Sequence, residues 1–451
     1  MKQFLLSEPI CLIIVLVTLI VCSAWLFILA NHKSKIEQFL EQIFVRFFLL
    51  AGIEYINFLG LASLGISVFI INSGFFMISS WSIMLLILSK RVIGFCRMKL
   101  IPLLLISIQG NPFIWMVILL SLMSSLWSGT PVITLKAAIV LALINIFSLY
   151  LVHQYGDKSF NLWRATMTLM GFLSVFIRHT THGDGGGLAG VLGSKNGLGS
   201  MMAINTAWWC WQVVHDSKLS ERLISMGIAT TSFCLIIAAD SAGGKFTFIV
   251  LLFFLLLMPI LRKIKFKIAV VVVILFIFIS SVISFYIIDN LANIFSYAGK
   301  DMTLTGRTDL WAVVWNSVQQ RLWLGYGLYG FWQNWRLPNS PSAQIINMLG
   351  WEPPNAHQGF LDIAVDLGLI GLLLMIFSLS LSIIQATLYM IKKKETNSIV
   401  PLLLLMYVIM ANISESRFLR SGSAWFIYIL ATIKLSLIFG NRSSNSTSSN
   451  I

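Results

Sequence analysis

Clusters of lysine and arginine divide the chain into repeated apolar stretches, each long enough to cross the roughly 30 Å hydrocarbon core of a bilayer. The clusters lie at Lys90, Arg91, Arg97 and Lys99, at Lys158 and Arg164, and at Lys218 and Arg222. They recur at Arg262, Lys263, Lys265 and Lys267, at Lys392 to Lys394, and at Arg442. Backbone in lipid has to satisfy its own hydrogen bonds, so the stretches are read as helices. They pair as 109–127 with 132–152, 166–182 with 196–214, 223–239 with 246–261, 268–288 with 362–391, and 398–413 with 423–440. Each pair leaves and returns to the basic side, which the positive-inside bias makes cytoplasmic, the C-terminal tail included. Ahead of them, 8–30 reads as one span and 46–89 as two, and Lys33 and Lys35 would then put the N-terminus outside. The first stretch follows Lys2 as a signal peptide would, but its length and the lack of a small-residue cleavage site favour an uncleaved span. The expectation is an all-α, polytopic membrane protein of about 12 spans.

Composition supports this reading. Hydrophobic residues make up 58% of the chain and charged ones 11%, with a mean hydropathy of +0.88. The net charge of +14 would raise nucleic acid as a partner for a soluble protein. Here the topology bias accounts for much of it, and nucleic acid is not expected. The cysteines, Cys11, Cys22, Cys96, Cys210 and Cys234, lie in or beside apolar runs without CxxC spacing, so neither a disulfide framework nor a zinc site is indicated.

One connection stands apart. Residues 289–357 form a long outward segment between two spans, and long connections tend to be functional. From Thr308, the residues Trp311, Val314, Trp315, Val318 and Leu322 share a helical face, which suits a short helix at the lipid interface. The expected division is therefore 1–288 as N-terminal spans, 289–357 as the outward loop, 358–440 as C-terminal spans, and 441–451 as a disordered cytoplasmic tail.

The candidate chemistry lies at the outward ends. Arg178, Lys195, Lys245, Lys300, Arg307, Arg321, Arg336, Arg417 and Arg420 all fall on the side that the bias should deplete. A cation beside a span end is costly unless it meets an anion. Arg307 comes just before a helix start, where free N–H groups favour anions, so it either binds one or caps a loop. The glycine-rich stretches "GDGGGLAGVLGSKNG", "SAGGKF" and "GYGLYG" lack a phosphate-cradling pattern and read as outward turns or close helix packing. His357 follows the long loop directly, with no second His or Cys placed to make a metal site. Imidazole suits proton transfer from a hydroxyl. If a helix begins near it, His357, Leu361, Ala364, Gly368 and Gly371 share a face. Asp362 and Asp366 would be caps, arginine partners or acceptors for sugar hydroxyls. The tryptophans Trp311, Trp315, Trp323, Trp332, Trp335 and Trp351 read as an interfacial belt, one or two of them free to stack on sugar rings.

These residues also resemble a known family. His357, Gln358, nine residues, then "GLIG" with Gly368 and Gly371 is similar to the signature of bacterial O-antigen ligases. "SSLWSGTPVITLK", "GSKNGLG", "GRTDLWAVVWNSVQQRLWLGYGLYGFW" and "ISES" resemble, in order, further elements of the superfamily of those ligases and of polysaccharide repeat-unit polymerases. The resemblance implies a GT-C-like glycosyltransferase of the bacterial inner membrane, using an undecaprenyl-pyrophosphate-linked glycan donor at the periplasmic face. It implies an inverting reaction with no metal and no cofactor. Acceptors would be a carrier-linked glycan, for a polymerase, or lipid A-core, for a ligase; a chain-length regulator is a further candidate partner. "GYGLYGFW" and "NAHQGFLDIAVDLGLIG" look closer to exopolysaccharide polymerases. By position, His357 matches the family's essential histidine and Arg307 its loop arginine, while Lys195, Asn196 and Glu415 match motif positions. Arg178, Lys245, Arg336 and Arg417 are further candidates to neutralise the pyrophosphate, and Asp362 to contact substrate. A transporter for the same lipid-linked glycan is the reading from another class; it would favour broken helices at mid-membrane and compact loops.

Overall fold

The structure is a computed structural model, described for residues 89–176, 187–296, 307–333, 340–350 and 352–448. The spans expected within residues 1–88, the N-terminal orientation, and Arg178, Lys300, Arg336, Trp335 and Trp351 lie outside the described residues. The chain divides into two compact units, Met1–Pro102 and Leu103–Ile451. Of the first, the described part is helix α1 (Ser89–Met98) and the first residues of α2 (Leu100–Gly110).

The second unit is helical. After α2 come α3 (Pro112–Met123), α4 (Pro131–Tyr155), α5 (Lys158–Phe176), α6 (Lys195–His215), α7 (Leu219–Ala239) and α8 (Ala242–Leu261). They are followed by α9 (Phe266–Ser296), α10 (Arg307–Gln320), α11 (Ala343–Leu349), α12 (Gly359–Lys392), α13 (Val400–Ser414) and α14 (Ser423–Ser448). Among the described residues, 7 helices are long and apolar enough to cross a membrane, or 8 if the bent pair α2–α3 counts as one span. This is a multi-pass all-α membrane protein. Helix α5 covers 166–176 of the expected stretch 166–182, whose remainder lies outside the described residues, and α6 coincides with 196–214; neither is in that count. In α6 the buried face carries Ser200, Asn205 and Thr206. No helix of spanning length occurs among the described residues between α9 and α12, where the long connection was expected.

The centre of the unit is α13, in which every residue from Val400 to Ile413 is buried. A helix apolar on all sides is stable only when surrounded, and α12, α14, α8 and α9 surround this one. Glycines set the closest approach: a Cβ on Gly244 of α8 would stand 2.6 Å from the backbone of Gly199 on α6.

Three stretches depart from the expected pattern. The stretch 109–127 is not one straight span. It turns by 109° between α2 and α3 at Asn111–Pro112, because Pro112 suits a first helical position and Asn111 caps α3, its side chain accepting from Ile114 N–H. The corner is held from outside. Asn111 Nδ2 donates to Ser378 O and Ser382 Oγ, both at 3.1 Å, and Gln385 Nε2 donates to Gly110 O at 2.7 Å. The tail "NRSSNSTSSN", expected to be disordered from 441, instead continues α14 through Ser448. Extending a formed helix needs no new nucleus, so even serine and asparagine can be carried along.

Helix α12 is broken. Gly368 has φ 67° and ψ −171°, so the nine residues before it and the span after it are separate helices. The freed backbone groups are paired by residues 322–327. Tyr326 and Gly327 N–H donate to Val365 O (3.0 Å) and Asp366 O (2.8 Å), while Leu369 and Ile370 N–H donate to Leu322 O (2.8 Å) and Trp323 O (3.3 Å). Gly368 and Gly325 allow this approach, since an added Cβ would fall 2.1 Å from Trp323 O and 2.6 Å from the Asp366 backbone. The glycines of "GYGLYG" and "GLIG" are thus two sides of one backbone junction. Gly368 admits a loop there, not the neighbouring helix that its spacing suggested. From Leu369 to Lys392 the second part is about 36 Å long, a full span by itself.

The two ends of the bundle differ in charge. At one end Arg262 donates to Glu395 O (2.9 Å) and Ser398 Oγ (3.0 Å), joining the basic turns 262–267 and 392–394. At the other end the starts of α6, α8, α10 and α12 meet the end of α13.

Candidate active site

The lysine-poor end is assembled from helix caps. Ser194 caps α6, its hydroxyl accepting from Gly197 N–H, and Ser241 caps α8, accepting from Gly244 N–H. Gln358 caps α12, its side-chain oxygen accepting from Leu361 N–H. A residue with a side-chain acceptor after the histidine is therefore a helix-capping requirement. His357 itself precedes the cap, in a left-handed conformation at φ 50°. The expected helical face running from His357 through Leu361 does not form, because α12 starts at Gly359.

The peptide around His357 is pinned on both sides. Its N–H donates to Asn355 Oδ1 at 2.9 Å. The preceding carbonyl, Ala356 O, accepts from the Trp311 indole at 2.8 Å, and Ala356 N–H donates to Asp362 Oδ1 at 3.1 Å. On the other side Gln358 N–H donates to Ser416 Oγ at 3.1 Å.

Glu415, just past the end of α13, is the hub. Its Oε2 lies 3.3 Å from His357 Nδ1. Its Oε1 accepts from Asn196 Nδ2 at 2.8 Å and lies 3.6 Å from Arg307 Nη2. Arg307 also donates to Ser414 O at 2.9 Å, and Ser241 Oγ donates to Asn196 Oδ1 at 2.9 Å. The side chains are half-buried, 22% exposed for His357 and 16% for both Arg307 and Glu415, so the cluster is reachable yet mostly screened from water. Burial pushes the Glu415 carboxyl up, but the His357 hydrogen bond and the charges of Arg417, His357 and Arg307 more than reverse this and hold it below the ordinary value.

A second cluster lies behind it. Asp362 and Asp366, each 2% exposed, both face Arg420 Nη2 at 3.6 Å through Oδ2. Arg420 sits 4.0 Å from the centre of the Tyr329 ring, and Trp332 Nε1 donates to Asp362 Oδ1 at 2.8 Å.

Of the ten residues singled out in the sequence, His357, Arg307, Asn196 and Glu415 converge. Arg417 stands beside them: its side chain approaches Gly197, and its charge acts on Glu415. The stem of Lys195 lies against Gly187. Two more have partners within the chain. Lys245 is paired with Asp240 at 2.5 Å, because the left-handed turn at Asp240 brings that carboxylate to the start of α8. Asp362 is an arginine partner, its oxygens directed to Arg420, Trp332 and Ala356. Arg178 and Arg336 lie outside the described residues. Ser241, Ser416 and Asn355 were not singled out for the site, and Trp311 only as a residue of the interfacial belt or a sugar-stacking face. Ser241 carried a legible signal, a serine directly before a helix start; the others are joined to the site only by tertiary contact. Among the described residues, no three His, Cys, Asp or Glu side chains group as a metal set.

Residues 227–376 match the family model described as O-antigen ligase, a similarity that covers about a third of the chain. No curated protein matches the chain.

Proposed function

We propose, from a chain that shares the O-antigen ligase domain, that this protein is a glycosyltransferase working at the lysine-poor end of its bundle. It would move a glycan from an undecaprenyl-pyrophosphate carrier to a sugar hydroxyl. The observation that carries the reading is the convergence of His357, Glu415 and Arg307 from three distant segments. The basic turns at the opposite end mark the cytoplasmic side by the positive-inside bias, so the site would face the periplasm of an inner-membrane protein.

The geometry supports one scheme. With Nδ1–H donated to the Glu415 carboxylate, Nε2 of His357 is left as the acceptor ring nitrogen. It takes the proton of the acceptor hydroxyl while that oxygen attacks the anomeric carbon. The bond from that carbon to the carrier phosphate breaks on the opposite face, and the configuration inverts. The carboxylate stabilises the imidazolium as it forms. The diphosphate leaves with its electron pair and gains charge, which Arg307 and Arg417 neutralise. The carrier's isoprenoid lies in the bilayer, so its diphosphate waits at headgroup level, where span ends such as these lie. Oriented binding of two large glycans supplies much of the rate.

Replacing His357 with Ala tests this: the variant should insert in the membrane normally yet transfer no glycan. Near-normal glycan from that variant would remove the base. The polymerase reading, with a second carrier-linked unit as acceptor, is preferred on the motifs around 325–332 and 355–371. A strain lacking the protein should then carry single-repeat glycans on a gel; long chains absent from lipid A would instead indicate the ligase.

The break in α12 is a feature that transporters share. Here its freed backbone groups are bonded to residues 322–327 and so are not free to bind cargo, which favours the enzyme reading.

A further inference from the structure

His357 reaches the proposed site on backbone that no helix supports, in a left-handed conformation that a non-glycine residue holds only at a cost. Something outside the residue has to keep it there. We propose that the buried Asp362–Arg420–Asp366 cluster is the positioning set for His357, with Asp362 as the residue through which it acts. The proposal rests on the reading of His357 as the general base.

Four contacts carry it. Asp362 Oδ1 takes the N–H of Ala356, the residue just before the histidine, at 3.1 Å. The same oxygen takes the Trp332 indole at 2.8 Å, tying the histidine's peptide to the loop that follows the Gly325–Gly327 junction. Its other oxygen faces Arg420, which belongs to the 415–420 segment that also carries Glu415. Arg420 in turn faces Asp366, two residues before the break at Gly368. One cluster thus connects three things that must stay in register: the histidine's peptide, the segment bearing its carboxylate partner, and the broken helix.

The burial of these groups argues against a casual ion pair. Removing two carboxylates from water is costly, and a purely structural core of apolar residues would avoid that cost. What Asp362 adds is direction at one oxygen: Oδ1 holds the backbone before His357, while Oδ2 faces the Arg420 charge at 3.6 Å without a hydrogen bond. The bonds of Asp362 run to the Ala356 backbone and the Trp332 indole, so the role assigned to it is positioning and not catalysis. A shift of about 1 Å in a reacting group costs on the order of a hundredfold in rate.

The test uses the full-length protein in detergent, with lipid-linked glycan extracted from cells lacking the protein as donor. Asp362→Ala should lower kcat by about ten- to a hundredfold per folded molecule. Its KM for the donor should stay within about twofold, and binding of undecaprenyl pyrophosphate should be unchanged. Asp362→Asn should restore part of kcat, since its carbonyl oxygen can still accept from Ala356 and Trp332. Trp332→Phe removes a single bond to Asp362 and serves if Asp362→Ala does not fold; it should lower kcat less, again at constant KM. A merely structural role would lower the yield and the thermal midpoint without changing kcat per folded molecule, and that result overturns the proposal. His357→Gln is run alongside. If it is inactive while Asp362→Asn and Trp332→Phe keep full kcat, positioning alone is wrong. If His357→Gln transfers normally, the base reading fails, and the positioning role falls with it.

Discussion

Glu415 Oε2 lies 3.3 Å from His357 Nδ1, although 58 residues and a full membrane crossing in each direction separate them in the chain. The other oxygen of the same carboxylate is taken by Asn196 and faces Arg307. Glu415 therefore orients the imidazole with one oxygen and is itself oriented through the other. That division of labour leads to the predictions below.

Replacing Glu415 with Gln keeps the shape but removes the charge that would stabilise an imidazolium. Transfer should fall by about a hundredfold or more, within the usual range for impaired general-base catalysis, while the protein remains in the membrane. Initial rates of glycan transfer, measured per folded molecule, check this. Wild-type rates from Glu415→Gln would exclude the carboxylate from the mechanism.

The same residue sets a pH dependence. The charges and the hydrogen bond around Glu415 outweigh its burial and hold its carboxyl below the ordinary value. A lowered folded value means that the unfolded chain binds the proton more readily. The stabilisation is therefore complete above the unfolded value, about 4.3 for glutamate, and is lost as pH falls through the lower folded one. The thermal midpoint of the wild type minus that of Glu415→Gln should not shrink from pH 7 down to about 5. The difference should shrink only below the unfolded value, and a gap that closes between pH 7 and 5 would contradict the assignment.

Asn196 donates to Glu415 Oε1 and accepts from Ser241. Asn196→Asp would place a second carboxylate where the amide N–H now points, so it should be more damaging than Asn196→Ala both to activity and to the thermal midpoint. Ala removes one favourable contact; Asp adds repulsion in a mostly screened site. Equal effects would mean that the amide's donor role is unimportant.

Gly368→Ala tests the break in α12. The backbone there, φ 67° and ψ −171°, is open to glycine alone, and a Cβ would meet Trp323 O at 2.1 Å. Strain and overlap together should cost at least about 2 kcal/mol. The expected result is a lower thermal midpoint and less protein in the membrane, with Gly325→Ala behaving similarly. A midpoint near that of the wild type would show that 322–327 can move aside.

The helices were legible because burial in lipid enforces one pattern. An uncharged run of sufficient length has to be helical, so α4, α7, α8, α9, α12, α13 and α14 fall where the runs between basic clusters predicted. The corner at Asn111–Pro112 was not read, although its cap and proline are ordinary start signals, because a continuous apolar run hid them. The break at Gly368 was missed for a different reason. A glycine in an apolar helix reads equally as a packing surface, and only the backbone of 322–327 decides otherwise. Asp362 shows the same ambiguity: spacing allowed a cap, an arginine partner or a sugar contact, and Arg420 resolves it.

By itself, the order of residues determined that this chain is a helical membrane protein with its unusual polar groups at span ends, since the solvent preference of each run is a local property. Tertiary structure alone decided which of those groups meet. His357, Glu415, Asn196 and Arg307 become one cluster, while Lys245 turns to Asp240 and Asp362 to Arg420. The reason is physical: a charge's partner depends on distances across the bundle, which caps, close glycine contacts and the broken helix set only once the spans have packed.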